Sequence, residues 1–218
     1  MHHTVKNLLD IENNIKTYLK KLNINNNPNI IAVSKTFAMD KIQPLIEHGH
    51  IDFGENKVQE AVEKWTEIKK NSHVKLHMIG KLQTNKVKLA VQIFDYIHSV
   101  DSIKLAKKIA DEQNKINKQI KIFLQVNIGD ENQKSGINKN QISQLVAYCK
   151  EVGLDLIGLM CIPPADIDPE EYFEEMNKLN KNLNFLELSM GMSADFLKAA
   201  KYLSTYVRIG SHIFGQRS

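Results

Sequence analysis

Eight short apolar runs, rich in Ile and Val, alternate along this chain with stretches whose apolar residues return every three or four positions. The runs are Ile30 to Ser34, Ile51 to Gly54, Leu76 to Gly80, Tyr96 to Val100, Lys121 to Ile128, Asp155 to Ile162, Phe185 to Met190 and Tyr206 to Gly210. Several are apolar on both alternating faces (IIAV, IFLQV, LIGLM), the pattern of parallel strands with helices outside and packed side chains inside. Eight such steps close a barrel, so the expected fold is α/β, a single (β/α)8 TIM barrel forming one domain over residues 1–218. Helices are expected over Glu55 to Lys70, Ser102 to Asn117 and Lys139 to Val152, with Asp101 and Asn138 as N-caps and Gly153 as a C-terminal stop. An extra N-terminal helix, Val5 to Leu22, places Leu8, Ile11, Ile15, Tyr18, Leu19 and Leu22 on one face and is expected to cover the bottom or side of the barrel.

Composition narrows the function classes. The 218 residues, 42% hydrophobic and 25% charged, can bury a core without disulfides or metals but are few for a large two-domain enzyme. The balance of 29 basic against 25 acidic residues, +4, suits attraction of small anions and falls short of a nucleic-acid-binding signature. Cys149 and Cys161 have no CxxC spacing and no histidine pair beside them, so they read as reduced thiols, with no metal site. Met1 to Leu9 lacks the apolar region of a signal peptide, and no run is long enough to span a membrane, so a cytoplasmic chain with no membrane partner is expected. His2 and His3 carry no weight, and nothing demands more than a monomer.

In such a barrel the functional face lies at the C-terminal ends of the strands. The first run ends in Ser34-Lys35, which sets an ammonium at the rim of a packed core, where desolvation would lower its pKa and free the amine to attack a carbonyl. Taken alone, a lysine snorkelling out of a strand end is the commoner outcome. The last two runs are followed by Gly191-Met192-Ser193-Ala194-Asp195 and by Gly210-Ser211, each a glycine and a serine opening a helix. Such junctions bind phosphate after strands seven and eight of this fold, although plain helix caps are the commoner use of these residues. Barrel closure makes the first strand the neighbour of the eighth, which brings Lys35 beside Gly210-Ser211. An amine beside a phosphate cradle suits a phosphorylated aldehyde.

Seven blocks in order resemble the pyridoxal phosphate homeostasis proteins: IAVSKT from Ile31, FGENKVQE from Phe53, HMIGKLQTNK from His77, Val126 to Gly136 with its KSG ending, GLMCIPP from Gly158, LSMGMSAD from Leu188 and VRIGSHIFG from Val207. That family is a single barrel similar to the N-terminal domain of bacterial alanine racemase and of eukaryotic ornithine decarboxylase. The resemblance implies pyridoxal 5'-phosphate (PLP) as cofactor, held as a Schiff base on Lys35, with Ser193, Gly210 and Ser211 on the phosphate. It implies that Arg208 approaches the pyridine nitrogen, that Asn56 contacts the ring or its 3'-oxygen, and that Ser189 and Met190 line the pocket. Without the flanking blocks, Arg208 would read as a partner to a rim carboxylate; His77 lies in a family block, but a lone strand histidine is more often a satisfied structural residue than an acid or base.

The chain departs from the family pattern at Phe37, where many members carry a second lysine, at Lys57, usually Tyr, and at Lys81, commonly His. If that second lysine receives the cofactor during handover, its role falls to Lys57 or Lys134, or is absent. The function implied is a carrier or buffer of PLP in vitamin B6 homeostasis, without catalytic residues, meeting PLP-dependent apo-enzymes transiently. The alternative is a PLP-dependent racemase, which needs acid/base groups on both faces of its substrate, one of them from a second domain for which 218 residues leave no room. A class I aldolase acting on a sugar phosphate fits the barrel but not Arg208 and Asn56.

Overall fold

The computed structural model describes residues 1–131, 135–165 and 167–216. Eight strands form a closed parallel barrel in sequence order: β1 (Asn29–Val33), β2 (Asp52–Glu55), β3 (Lys75–Met78), β4 (Tyr96–Val100), β5 (Lys121–Val126), β6 (Asp155–Cys161), β7 (Glu187–Met192) and β8 (Tyr206–Ile209). Closure is made by β1 against β8, with Ile31 opposite Arg208 and Ala32 opposite Ile209. Each of the eight apolar runs overlaps one of these strands, with the ends displaced by up to two residues.

Period-two alternation sorts the strand residues. Ile30, Ala32, Phe53, Leu76, Ile97, Leu159, Met190 and Val207 belong to the large core beneath the helices. Ile31, Tyr96, Phe123, Met160 and Tyr206 make a separate cluster, the filling of the barrel itself. Above that aromatic layer the inward positions turn polar, with His77, His98, Ser189 and Arg208 all buried.

The helices between strands are α2 (Met39–Glu47), α3 (Val58–Lys70), α4 (Val87–Ile93), α5 (Ile103–Lys115), α6 (Ile142–Glu151), α7 (Glu170–Asn182) and α8 (Phe196–Lys201), with α9 (Ser211–Phe214) after β8. The N-terminal helix α1 (His3–Lys21) packs its Leu8, Ile11, Ile15 and Leu19 stripe against α2, α8 and α9, so it closes the side of the barrel. Asn7 Nδ2 donates to the Ile213 carbonyl and ties α1 to α9 at 2.9 Å. Three helix starts between strands differ from the sequence reading. Ser102, not Asp101, caps α5, its hydroxyl accepting from the Leu105 N–H at 3.3 Å. Asn138 precedes a single turn of 3-10 helix and makes no side-chain cap bond, while α3 begins at Val58 because Glu55 belongs to β2. Gly153 does end its helix, at φ +70°.

Candidate functional site

At the C-terminal rim, β1 runs into a tight turn that presents Lys35. The Phe37 N–H donates to the Ser34 carbonyl at 3.1 Å, and Thr36 sits at φ 66°, a left-handed conformation that a β-branched residue adopts only when its surroundings impose it. Those surroundings come from β2 and α3. Lys64 Nζ donates to the Ser34 carbonyl at 2.9 Å and to Glu55 and Glu60, both at 3.0 Å. Glu60 accepts from the Thr36 N–H at 2.5 Å, and the fully buried Glu55 accepts from Ser34 Oγ at 2.8 Å and Trp65 Nε1 at 3.0 Å. Lys35 is thus flanked on both sides by backbone that a buried ion-pair cluster holds in place.

Lys35 opens onto a cavity of about 520 Å³ that is also lined by Asn56, Ser193, Arg208, Gly210 and Ser211. Six of the eight residues singled out from sequence therefore meet around one space. Ser211 opens α9, while Ser193 lies in a turn three residues before α8, its hydroxyl accepting from the Gly210 N–H at 3.4 Å. A Cβ on Gly210 would sit 3.4 Å from the Val33 carbonyl oxygen, which shows how closely the eighth strand end approaches the first.

Ser189 and Met190 do not line this cavity. Met190 shares the outward parity of Leu188 and packs into the core under the helices. Ser189 points into the barrel but lies beneath the cavity, bonded to Arg208 and His98. The methionine that does reach the cavity is Met192, because the β7–β8 register shifts between Ser189 and Met192 and Gly191 sits at φ 94°. A Cβ at Gly191 would stand 2.5 Å from Ala199 Cβ, so only glycine permits that bend. Ile79 and Ile162 also line the cavity, each at the end of an apolar run, where the strand-end rule could have found them.

Arg208 is the unusual charge of the site. It is 4% exposed, and its Nη1 and Nη2 donate to Ser189 Oγ at 2.8 Å and to the Cys161 carbonyl at 2.9 Å, respectively. Both acceptors are neutral, and among the described residues no carboxylate pairs with it. Burial pulls its pKa down from the ordinary value, with Asp195 acting only from a distance. The Cys161 thiol is pushed up to about 12 by burial, and that of Cys149 to about 11, so neither is a nucleophile.

The three departures have distinct places. Phe37 lines the cavity and stacks on Phe214 with ring centroids 4.9 Å apart, so an aromatic wall stands at that position. Lys57 and Lys81 line a neighbouring cavity of about 340 Å³, with Asn56 as the wall between the two spaces. Lys134 lies outside the described residues.

A closed parallel barrel that gathers a clamped lysine, a buried arginine and serine hydroxyls at one rim defines a class, the alanine racemase N-terminal barrels. A family model described as "Alanine racemase, N-terminal domain" matches residues 7–218. The pyridoxal phosphate homeostasis protein of Haemophilus influenzae is 38% identical over 97% of this chain and 95% of its own length. The protein of that name from Escherichia coli strain K12 is 36% identical over 86% and 85%. This chain belongs to the alanine racemase N-terminal domain family and, within it, to the pyridoxal phosphate homeostasis proteins. The solved structure of PipY from Synechococcus elongatus with PLP bound superposes with a TM-score of 0.77 at 31% identity, over 92% of this chain and all of that one. An alanine racemase of Clostridium difficile shares the fold at 16% identity and a TM-score of 0.75, this chain spanning 56% of its length.

Proposed function

We propose that this chain is a PLP-binding protein that carries or buffers the cofactor, holds it covalently on Lys35, and performs no catalysis of its own. When bound, PLP supplies an aldehyde that condenses reversibly with a primary amine and a phosphate dianion that seeks hydrogen-bond donors. One observation carries the reading: a buried, permanently charged guanidinium with only neutral protein partners borders the same cavity as Lys35 and the Ser193, Gly210 and Ser211 donors. An isolated buried cation is costly unless an anionic or electron-rich partner meets it. Pyridine nitrogen toward Arg208, ring edge on Asn56 and phosphate on the two serines satisfy this donor set.

The chemistry of the lining supports holding over transformation. An arginine donating to the ring nitrogen leaves it unprotonated, which makes the ring a poorer electron sink. Racemisation needs a proton donor and acceptor on opposite faces of the substrate. Among the described lining residues Lys35 is the one amine, the others being Arg208, amides, hydroxyls and apolar side chains. The proposal extends to one barrel domain over residues 1–218, acting as a monomer in the cytoplasm and meeting apo-enzymes transiently. Among the described residues, no helix is long and apolar enough to cross a membrane.

The test is the absorption spectrum on PLP addition. The native chain is expected to develop a visible band, and Lys35→Ala to lose it while keeping its far-UV circular dichroism; an unchanged band in the variant overturns the anchor assignment. Proton exchange at the α-carbon of amino acids in deuterated water separates carrier from enzyme. Turnover on the order of 1 per second or faster would overturn the carrier reading.

A further inference from the structure

Beneath the cavity, inward side chains from five strands form one unbranched hydrogen-bond chain that ends on Arg208. Asp52 Oδ1 lies 3.0 Å from His77 Nε2, and His77 Nδ1 lies 2.9 Å from His98 Nε2. His98 Nδ1 lies 2.9 Å from Ser189 Oγ, which receives the Arg208 Nη1–H at 2.8 Å. His77, His98 and Ser189 are fully buried. The rings are wedged as well, His77 stacked on Tyr96 and His98 on Phe123, each with centroids 4.2 Å apart. The partners lie 25, 21, 91 and 19 residues apart in sequence, so only barrel closure assembles them.

Counting protons gives the chain a direction. Arginine can only donate, so Ser189 Oγ accepts from it, and the single hydroxyl hydrogen of Ser189 passes to His98 Nδ1. His98 then carries its proton on Nε2 and donates to His77 Nδ1; His77 carries its own on Nε2 and donates to Asp52. Both imidazoles are neutral in this arrangement, and every hydrogen has an acceptor. Burial favours the neutral form of both, and for His98 the neighbouring His77 and Arg208 add to it, while Asp52 partly opposes the shift at His77. The groups facing His98 are His77 from β3, Tyr96 from β4, Phe123 from β5, Ser189 from β7, and Tyr206 and Arg208 from β8.

We infer that Ser189 and His98 are positioning residues for the ring-nitrogen end of the cofactor site, holding the Arg208 guanidinium in one orientation through a chain of fixed proton direction anchored on Asp52. The inference rests on the reading that Arg208 faces the pyridine nitrogen of PLP. Without Ser189 Oγ the guanidinium keeps the Cys161 carbonyl and loses the acceptor that sets its plane. A cofactor can still attach at Lys35, but its ring then meets a cation of looser geometry.

Two measurements test this. Long-range proton–nitrogen NMR on the full chain without cofactor is expected to show His77 and His98 as neutral Nε2–H tautomers at neutral pH. An Nδ1–H tautomer at His98 overturns the chain's direction, and with it the inference. Ser189→Ala and His98→Phe are then titrated with PLP, each checked by circular dichroism. Roughly tenfold weaker binding is expected, with a displaced visible band at saturation, an effect that loss of packing alone does not produce. His98→Asn, which keeps an acceptor facing Ser189, is expected to recover part of both. If His98→Phe does not fold, Ser189→Ala, which removes a single oxygen, carries the test. A folded Ser189→Ala with native affinity and an undisplaced band overturns the inference. Failure of the native chain to bind PLP would instead overturn the reading beneath it.

Discussion

Replacing Lys64 by methionine tests whether the ion-pair cluster at the first strand end holds the turn that presents Lys35. Methionine keeps much of the stem's volume and removes the amine, which bonds the Ser34 carbonyl, Glu55 and Glu60. Glu55 is fully buried and Lys64 only 11% exposed in its side chain, so the remaining carboxylate cannot recover hydration. Breaking a buried pair by removing one partner costs about 3–5 kcal/mol. Glu55 keeps the Ser34 hydroxyl and the Trp65 N–H, which places the expected loss at the low end, about 3 kcal/mol. A domain of ordinary stability, about 5–15 kcal/mol, survives that loss, so urea unfolding with a free slope can measure it. Glu55→Gln combined with Lys64→Met should be less destabilised than the sum of the single variants, because the double variant leaves no fully buried uncompensated charge, Glu60 being partly exposed. PLP should bind Lys64→Met more weakly, since one anchor of the turn is gone. A loss under about 1 kcal/mol, or strict additivity in the cycle, would show that the cluster is solvated and does not hold Lys35 in place.

Other outcomes follow from the same geometry. The buried imidazoles of His77 and His98 are held below the ordinary value of 6.5, so the unfolded chain binds more protons than the folded one. Stability therefore rises with pH up to that value and falls below it, by up to about 1.4 kcal/mol per pH unit for each histidine. Urea unfolding from about pH 7.5 down to pH 5.5 reads this slope, which should shrink in His98→Phe; a flat profile refutes it. Gly80→Ala would set a Cβ 2.4 Å from the Asn56 carbonyl oxygen, so it should displace Asn56 and weaken PLP binding in a titration. Gly153→Ala, at φ +70° with open space around it, should cost about 1–2 kcal/mol of stability and leave PLP affinity unchanged. Equal PLP affinities in the two variants would count against Asn56 as part of the site.

The strands were legible because their apolar runs are buried on both faces, and their edges were less so because burial outlasts pairing. Ile128 is only 2% exposed, yet the β5 ladder stops at Val126, beyond which the Asn127 side chain bonds the backbone of Glu131. Lys35, Arg208 and Gly210 stand at or just beyond the strand ends, where the fold itself points. Ser189 and Met190 could not be sorted by run position, since one residue decides which side of the barrel a strand side chain faces and Gly191 shifts the register after them. His77 was visible as a lone polar residue between Leu76 and Met78, whereas His98, beside the polar Ser99, was not singled out. Their partners were not legible, because the contact between them exists only in the closed barrel.

That polar interior also explains how the barrel tolerates its buried cation. A carboxylate beside Arg208 would neutralise it locally and compete with any ligand for its donors. Here the carboxylate stands at the far end of the chain, Asp52, with two neutral imidazoles and a hydroxyl between. The guanidinium is oriented by dipoles whose hydrogens are all committed, while its charge remains available to the cavity. On the proposed placement, an incoming ring nitrogen and phosphate would meet donors already fixed in place, so little reorganisation would oppose binding. Among the described lining residues no second acid or base stands beside Lys35, which is the ground on which we propose retention of an electron-poor aldehyde over turnover of an amino acid.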